Sequence, residues 1–392
     1  MALKGLAKRL DQIPPYLFAE IDRKKAEAIA RGVDIIDLSI GDPDLPTPLP
    51  IVRSLQKVAG RPESQGYPPY TGLPAFRKAI AEWYRRRFRV TLDPQKEVLA
   101  LIGSKEGIAH LPLGLIDPGD VVLVPDPGYP VYKISTLMAG GVPYSIPLTM
   151  ARKFLPNLSA IPTAVAKKAK LMFVNYPNNP TAAIAPKSFY QDLVAFAREF
   201  GIALCSDLAY SEIAFDSHRP LSLLQIPGAK DVTIECHSLS KTYNMTGWRV
   251  GMAAGNSELI RALSLIKMNI DSGIFKAIQT AAIGALTGNQ SHIPKMNKIY
   301  ARRRDVIIGG LNSLGWKLEK PKASFYIWVP VPSEFTSVAF AAYLLEKAGV
   351  LVVPGSGYGE YGDGYIRIAI TCPENRMKEA IQRLTKEKIR YR

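Results

Sequence analysis

The chain has 392 residues, of which 47% are hydrophobic and 21% charged, and its formal net charge is +16. This composition is typical of a soluble globular protein, and the length predicts two domains rather than one core. No apolar run approaches the ~20 residues that span a bilayer, and the N-terminus lacks the apolar core of a secretion signal. We therefore expect a cytoplasmic protein with no membrane partner. The scattered cysteines and histidines predict neither a disulfide framework nor a metal site.

The excess of basic residues raises the question of nucleic acid binding. Basic clusters occur at residues 85–87, 167–168 and 302–304, and apolar residues flank the first and third at helical spacing. Solvated helix faces have this pattern, and no interleaving of basic and aromatic residues accompanies it. We predict no nucleic acid partner. A basic host proteome or the attraction of anionic substrates explains the charge.

In chain order, apolar strand-like segments alternate with amphipathic helical ones, which is the pattern of a mostly parallel α/β sheet. The predicted strands are residues 98–102, 121–124, 171–174, 202–205, 232–236 and 250–254. The predicted helices are residues 73–87, 132–138, 188–200 and 258–267. Polar or aromatic residues follow five of these strands directly. Because ligands of open α/β sheets bind outside the carboxyl ends of the strands, we expect a site there for a flat, charged, phosphorylated ligand.

The C-terminal third has a different pattern, which predicts a smaller α+β domain. A long helical stretch at 274–314 leads to strands at 325–329 and 365–370, with a helix at 338–348 and a closing helix. The Pro/Gly-rich loop at 40–48 marks a boundary. We predict residues 1–48 as an N-terminal arm and part of the small domain, 49–285 as the large domain, and 286–392 as the small domain.

One segment, SLSKTYNMTGWRVG, contains the most informative residues. Lys241 lies between the hydroxyls of Ser238, Ser240 and Thr242, and Arg249 follows eight residues later. A lysine at a strand end can form an imine with an aldehyde while hydroxyls and a guanidinium hold an attached phosphate. This combination predicts a pyridoxal phosphate site. A lone lysine after a strand is usually a solvated charge, but the surrounding motif disfavours that interpretation.

Four further residues at strand ends suit the cofactor ring. Asp207 can pair with the pyridine nitrogen and keep it protonated, although it could equally cap a following helix. Tyr210 and Asn179 can hydrogen-bond the ring's phenolate oxygen; out of context they are a core aromatic and a turn residue. Tyr129 follows Pro-Gly and can stack on the ring, or pack on the surface as a loop aromatic.

A helix is predicted to begin after a glycine at residue 103, where free N–H groups and the helix dipole favour a phosphate. Serine hydroxyls and an arginine fork would supply further donors. The predicted phosphate ligands are Ser104, Lys105, Ser238, Ser240 and Arg249.

Arg367 lies in the strand-like run 365–370, in which the isoleucines share the opposite face. An arginine in a mostly apolar strand needs a carboxylate partner. An internal acidic residue could be that partner, as could the α-carboxylate of a substrate.

Together these motifs resemble the fold-type I, class I/II pyridoxal phosphate-dependent aminotransferases, in family order and over nearly the whole chain. The resemblance implies the α/β PLP-dependent transferase fold, with a large, mostly parallel sheet domain and a smaller α+β domain. It implies that Lys241 carries the cofactor and shuttles a proton. It also implies that Arg367 binds the substrate α-carboxylate, helped by Gly41 and Asn179. Tyr67 would reach the phosphate of a neighbouring subunit, which implies a homodimer with shared active sites.

Within the family, the strings LIGSKEGIAH, VPDPGYPVY and SLSKTYNMTGWR resemble LL-diaminopimelate aminotransferases. Those enzymes move an amino group between LL-2,6-diaminopimelate and 2-oxoglutarate in lysine biosynthesis. The same resemblance implies that Tyr16 and Asn269 contact substrate across the dimer. Three alternatives stay open: an aminotransferase for aspartate, alanine or aromatic amino acids, a pyridoxal phosphate-dependent β-eliminating lyase, and a non-catalytic regulator that senses the cofactor and binds nucleic acid.

Two positions depart from the family pattern. Ala182 stands where the family usually has glycine, and if its φ is positive the alanine costs ~1 kcal/mol or more. Leu208 stands where a small or acidic residue is more familiar.

Overall fold

A computed structural model describes residues 5–14 and 17–391. Its α-helices are α1 (Leu17–Ala30), α2 (Leu49–Ala59), α3 (Pro62–Gln65), α4 (Pro74–Phe88), α5 (Ser104–Leu115), α6 (Val131–Met138), α7 (Thr163–Ala166), α8 (Lys187–Phe200), α9 (Leu239–Thr242), α10 (Ser257–Ile270), α11 (Lys276–Thr287), α12 (His292–Ser313), α13 (Ser337–Ala348) and α14 (Glu374–Lys386). Its strands are β1 (Ile36–Asp37), β2 (Val98–Leu101), β3 (Val121–Asp126), β4 (Val142–Pro147), β5 (Ala169–Asn175), β6 (Ala203–Asp207), β7 (Thr233–Ser238), β8 (Gly251–Gly255), β9 (Tyr326–Pro330), β10 (Val350–Leu351), β11 (Val353–Pro354) and β12 (Tyr365–Ala369).

Seven strands form one sheet in the order β2-β8-β7-β6-β5-β3-β4, which confirms the predicted mostly parallel α/β sheet. Only β8 runs antiparallel to its neighbours. Because successive side chains of a strand point to opposite faces, Leu99 and Leu101 pack towards α5 and α10, whereas Val98 and Ala100 pack towards α4 and α11. The carboxyl ends of the six remaining strands meet at one edge.

The prediction missed β4, the outermost strand. It contains two prolines, Pro143 and Pro147, and most of its residues are partly or fully exposed. An edge strand tolerates proline because one side of its backbone makes no ladder bonds. The segment therefore has no apolar run for sequence analysis to detect.

A second, three-stranded antiparallel sheet has the order β11-β12-β9 and shares an apolar core with α12, α13 and α14. The N-terminal segment joins this side, because β1 pairs in parallel with β10.

The predicted helical stretch 274–314 is wrong as one element, since Gly288 has an extended ψ of −173° and ends α11. The domain limits after residues 48 and 285 stay predictions. Within the described residues, no helix combines the length and hydrophobicity that a membrane crossing requires.

Candidate active site

A cavity of about 340 Å³ lies between the carboxyl edge of the seven-stranded sheet and the three-stranded sheet. Most of the predicted site residues line it: Gly41, Ser104, Lys105, Tyr129, Asn179, Asp207, Tyr210, Ser238, Ser240, Lys241, Arg249 and Arg367. They come from strands, helix starts and loops that are far apart in the chain. Parallel strand ends bring them together, which is the geometry expected for a ligand site in this fold.

One end of the cavity collects hydrogen-bond donors that suit a phosphate. Gly103, with φ of +79°, precedes the first turn of α5, and a Cβ there would lie 2.3 Å from Nη2 of Arg249. Arg249 donates from Nη1 to the carbonyl of Thr246 at 2.9 Å. The buried Oγ of Ser240 has no hydrogen-bond partner among the described residues. A helix N-terminus, an arginine and an unsatisfied hydroxyl at one place fit the phosphate of the predicted cofactor.

Lys241 lines the cavity from the single turn α9. Its Nζ donates to the carbonyl of Gly41 at 2.7 Å and lies 5.7 Å from the ring centroid of Phe325. Burial lowers the pKa of Lys241 to about 8; Asp42 opposes this shift, and Arg367 is among the nearby cations that add to it. At pH 7 about a tenth of this amine is therefore neutral and nucleophilic, a far larger share than for an ordinary lysine.

Asp207 lies at the end of β6, buried, and accepts a hydrogen bond from the hydroxyl of Tyr132 at 2.8 Å. Burial raises the pKa of Asp207 to about 6, against the lowering effect of this bond. A cationic ring nitrogen beside the carboxylate would favour its ionised form. No helix begins directly after Asp207, because residues 209–212 form turns, so the helix-cap alternative does not apply.

Arg367 lies on β12 with its guanidinium carbon 4.1 Å from the ring centroid of Tyr326 and 5.0 Å from that of Tyr358. It donates to Oδ1 of Asn179 at 2.9 Å and to the carbonyl of Ser39 at 2.6 Å. Only 1% of the residue is exposed. A buried guanidinium held between two aromatic rings and lining a cavity is a suitable fork for a carboxylate.

Residues 33–384 match the family model for aminotransferase class I and II. The chain belongs to this family. The aminotransferase is 58% identical to LL-diaminopimelate aminotransferase of Moorella thermoacetica, over 96% of the chain and 97% of that protein. It is 52% identical to the enzyme of the same name from Aquifex aeolicus, over 97% and 98% of the two chains. Substrate-bound BacF from Bacillus subtilis superimposes with a TM-score of 0.94 at 39% identity, over 98% of each chain.

Several residues of the aminotransferase cavity were not predicted from the sequence. Tyr326 is one, and its hydroxyl lies 3.0 Å from that of Tyr210. A Cβ on Gly41 would lie 2.0 Å from the Tyr326 hydroxyl, so only glycine lets this loop approach. Asp42 and Thr246 also line the cavity. The sequence could have indicated both, because Asp42 follows Gly41 and Thr246 lies within the lysine motif. Tyr326 gave none, because an aromatic in a strand is usually a core residue.

Two predicted substrate or partner contacts of the aminotransferase, Tyr67 and Asn269, do not line this cavity. Tyr67 is 80% exposed, and the side-chain amide of Asn269 donates to the carbonyl of Leu265 on its own helix at 2.8 Å. Tyr16 lies outside the described residues. Their roles across a subunit interface stay predictions.

Ala182 of the aminotransferase has a φ of +58°, so the departure from glycine does fall on a left-handed residue. Its methyl group is buried in the core beside the three-stranded sheet. The alanine therefore combines a strained backbone with a favourable apolar contact.

Proposed function

We propose that this aminotransferase uses pyridoxal phosphate to move an amino group between LL-2,6-diaminopimelate and 2-oxoglutarate, a step of lysine biosynthesis. The proposal depends on one observation: Lys241, Asp207 and Arg367 line a single cavity beside a cluster of phosphate donors. The names of the full-length relatives, which are 52% and 58% identical, support the choice of substrate.

The chain's own residues fit the cofactor at its phosphate and at its ring nitrogen. Ser104, Ser238, Ser240 and Arg249 would hold the phosphate, and Asp207 would pair with the ring nitrogen. Lys105 lines the same end. When bound, pyridoxal phosphate supplies an electron sink for the bonds of the substrate's α-carbon.

Around the ring, Tyr210 and Asn179 would hydrogen-bond the phenolate oxygen, and Tyr129 would lie against the ring face. Lys241 would hold the cofactor covalently and then, once released, move a proton at its Nζ. A pKa of about 8 suits both tasks, because the amine can be either neutral or protonated near neutral pH. Arg367 would fix the α-carboxylate and so orient the α-hydrogen towards Lys241.

We also propose a cytoplasmic homodimer with shared active sites. Exposed apolar side chains on two adjacent segments support a covered surface: Tyr67, Tyr70, Ile270 and Phe275 are 80%, 44%, 54% and 39% exposed. The two segments touch, since a Cβ on Gly273 would lie 3.0 Å from Pro68. Light scattering on the purified protein should give twice the chain mass of 43.0 kDa.

A single-turnover donor screen tests the function. The protein is loaded with pyridoxal phosphate, and the absorbance change of the bound cofactor is followed after adding LL-diaminopimelate, aspartate, alanine or phenylalanine separately. We expect the fastest change with LL-diaminopimelate, and none in Lys241→Ala. A fast change with alanine or phenylalanine but none with LL-diaminopimelate would reject the proposed substrate. Release of pyruvate and ammonia without a 2-oxo acid acceptor would indicate a β-eliminating lyase. Salt-sensitive binding of random duplex DNA without transamination would indicate a regulator.

A further inference from the structure

The loop at residues 355–362, between β11 and β12, is hydrogen-bonded to the end of β3 on the opposite side of the cavity. The two carboxylate oxygens of Asp126 accept separate bonds, from the backbone N–H of Glu360 at 3.2 Å and of Tyr361 at 3.0 Å. The backbone N–H of Gly128 donates to the carbonyl of Tyr358 at 2.8 Å. Three hydrogen bonds therefore join the seven-stranded sheet to the loop beside the three-stranded sheet.

The loop is shaped for this contact. Gly359 has a φ of +135°, which L side chains rarely adopt, and a Cβ there would lie 2.1 Å from Oδ1 of Asp126. A Cβ on Gly362 would lie 2.1 Å from the carbonyl of Gly355, so the two ends of the loop also pack closely against each other. Asp126 is 7% exposed. A carboxylate shielded from water makes stronger bonds to N–H groups than an exposed one.

The same loop contributes one of the two rings that hold Arg367. Tyr358 lies 5.0 Å from the guanidinium carbon of Arg367 and packs edge-on against Trp328 at 6.1 Å. Trp328 is the register partner of Arg367 across the β9–β12 pair. A displacement of the loop would therefore shift the Tyr358 ring that flanks the arginine.

We propose that Asp126 is a positioning residue for substrate carboxylate binding. Its carboxylate holds the loop 355–362 against the end of β3 and thereby fixes Tyr358 beside Arg367. The inference rests on the proposed function, in which Arg367 binds the substrate α-carboxylate. Asp126 itself does not line the cavity, so it acts through the loop rather than by touching substrate.

Asp126→Asn tests the proposal most directly, because both carboxylate oxygens accept hydrogen bonds from backbone N–H groups. An amide keeps the size but turns an NH2 group towards one of these donors, which leaves that backbone N–H unpaired. We expect the apparent dissociation constant of the amino donor, from single-turnover rates, to rise about tenfold. We expect the dissociation constant of pyridoxal phosphate to stay within about twofold, since the phosphate donors lie on other loops. A collapse of the whole segment would instead weaken the cofactor, because Tyr129 follows Asp126 by three residues.

Asp120→Asn is the matched control. Asp120 directly precedes β3, at the end away from the loop, and its carboxylate accepts from the backbone N–H of Asp117 at 2.9 Å. We expect the affinity of the control variant for the amino donor to match that of the wild type. Hydrogen exchange followed by mass spectrometry supplies a readout without catalysis: the amides of residues 358–362 should exchange faster in Asp126→Asn and not in the control.

The outcomes separate the two proposals. A wild-type protein that reacts with no amino donor overturns the proposed function, and the carboxylate role of Asp126 with it. A wild-type protein that reacts, with unchanged donor affinity in Asp126→Asn, overturns only the present inference. Equal losses of donor and cofactor affinity would also overturn it, because they indicate a general structural defect.

Discussion

Glu235 offers a direct test of how burial sets charge in this fold. It lies in the middle of β7 and is 0% exposed. Its carboxylate accepts from the hydroxyl of Ser222 at 2.7 Å, from the hydroxyl of Ser206 at 3.2 Å and from the N–H of Leu223 at 3.1 Å. These donors are neutral, and they only partly replace the lost water. Burial therefore raises the pKa of Glu235 to about 7.

The expected size of the effect follows from this shift. The pKa rises from 4.5 in the unfolded chain to about 7 in the folded one. Between these values the native state binds more protons than the unfolded state, so the free energy of unfolding falls as pH rises. The loss is complete above about pH 7 and amounts to about 3 kcal/mol, at about 1.4 kcal/mol per pKa unit. Glu235→Gln has nearly the same shape and no charge, so it should escape this loss.

Urea unfolding at pH 4.5 and pH 8, followed by tryptophan fluorescence, measures the difference between variant and wild type. We expect the stability of Glu235→Gln relative to wild type to rise by about 3 kcal/mol from the lower to the higher pH. Glu212→Gln is the control, because Glu212 accepts from Arg87 at 2.9 Å and its replacement should lower the stability by leaving a half-buried cation without its carboxylate. A relative stability of Glu235→Gln that is the same at both pH values would refute the reasoning.

Three further predictions concern the site and its backbone. Arg367→Lys should raise KM for both amino donor and 2-oxo acid about 100-fold in steady-state assays, because lysine lacks the planar fork; an unchanged KM would place the carboxylate elsewhere. Cofactor-free protein should take up pyridoxal phosphate faster as pH rises and level off above about pH 8, since the neutral form of Lys241 reacts; a flat stopped-flow profile would contradict this. Ala182→Gly should change the free energy of unfolding by under about 1 kcal/mol, because relief of about 1–2 kcal/mol of strain is offset by a lost buried methyl and a freer unfolded chain. A larger change in urea unfolding would mean that one of these effects has been misjudged.

The periodicity of apolar residues was enough to predict six strands of the large sheet, and their observed ends differ from the predicted ones by only a few residues. This works because strands buried on both faces are continuous apolar runs bounded by turns. The apolar periodicity did not reveal β4, because this strand is largely exposed and contains two prolines. It also failed at Gly288, because a glycine within a helical pattern does not by itself reveal a break.

The residues of the candidate site likewise fall into two groups, those that the sequence predicted and those that it did not. Residues that directly follow parallel strands were predicted together, since topology alone places them at one edge. Tyr326, Tyr132 and Asp126 were not, because the residues that they contact are distant in sequence. In the chain Tyr132 looks like one more residue of an amphipathic helix, yet its hydroxyl is bonded to Asp207. Such contacts between a helix and a strand end depend on how the layers pack, and no local pattern encodes them.

The charges around the cavity indicate which kind of ligand fits it. Among the described residues, the cavity is lined by four cations, Lys105, Lys241, Arg249 and Arg367, and by two acids, Asp42 and Asp207. At pH 7 most Lys241 side chains, with a pKa of about 8, are still protonated, and most Asp207 side chains, with a pKa of about 6, are still ionised, so cations outnumber anions in the cavity. A ligand that matches this field carries anionic groups at both ends, with a phosphate beside Arg249 and a carboxylate beside Arg367. In the proposed function, a phosphorylated cofactor and an amino acid bound side by side would supply that pair of charges.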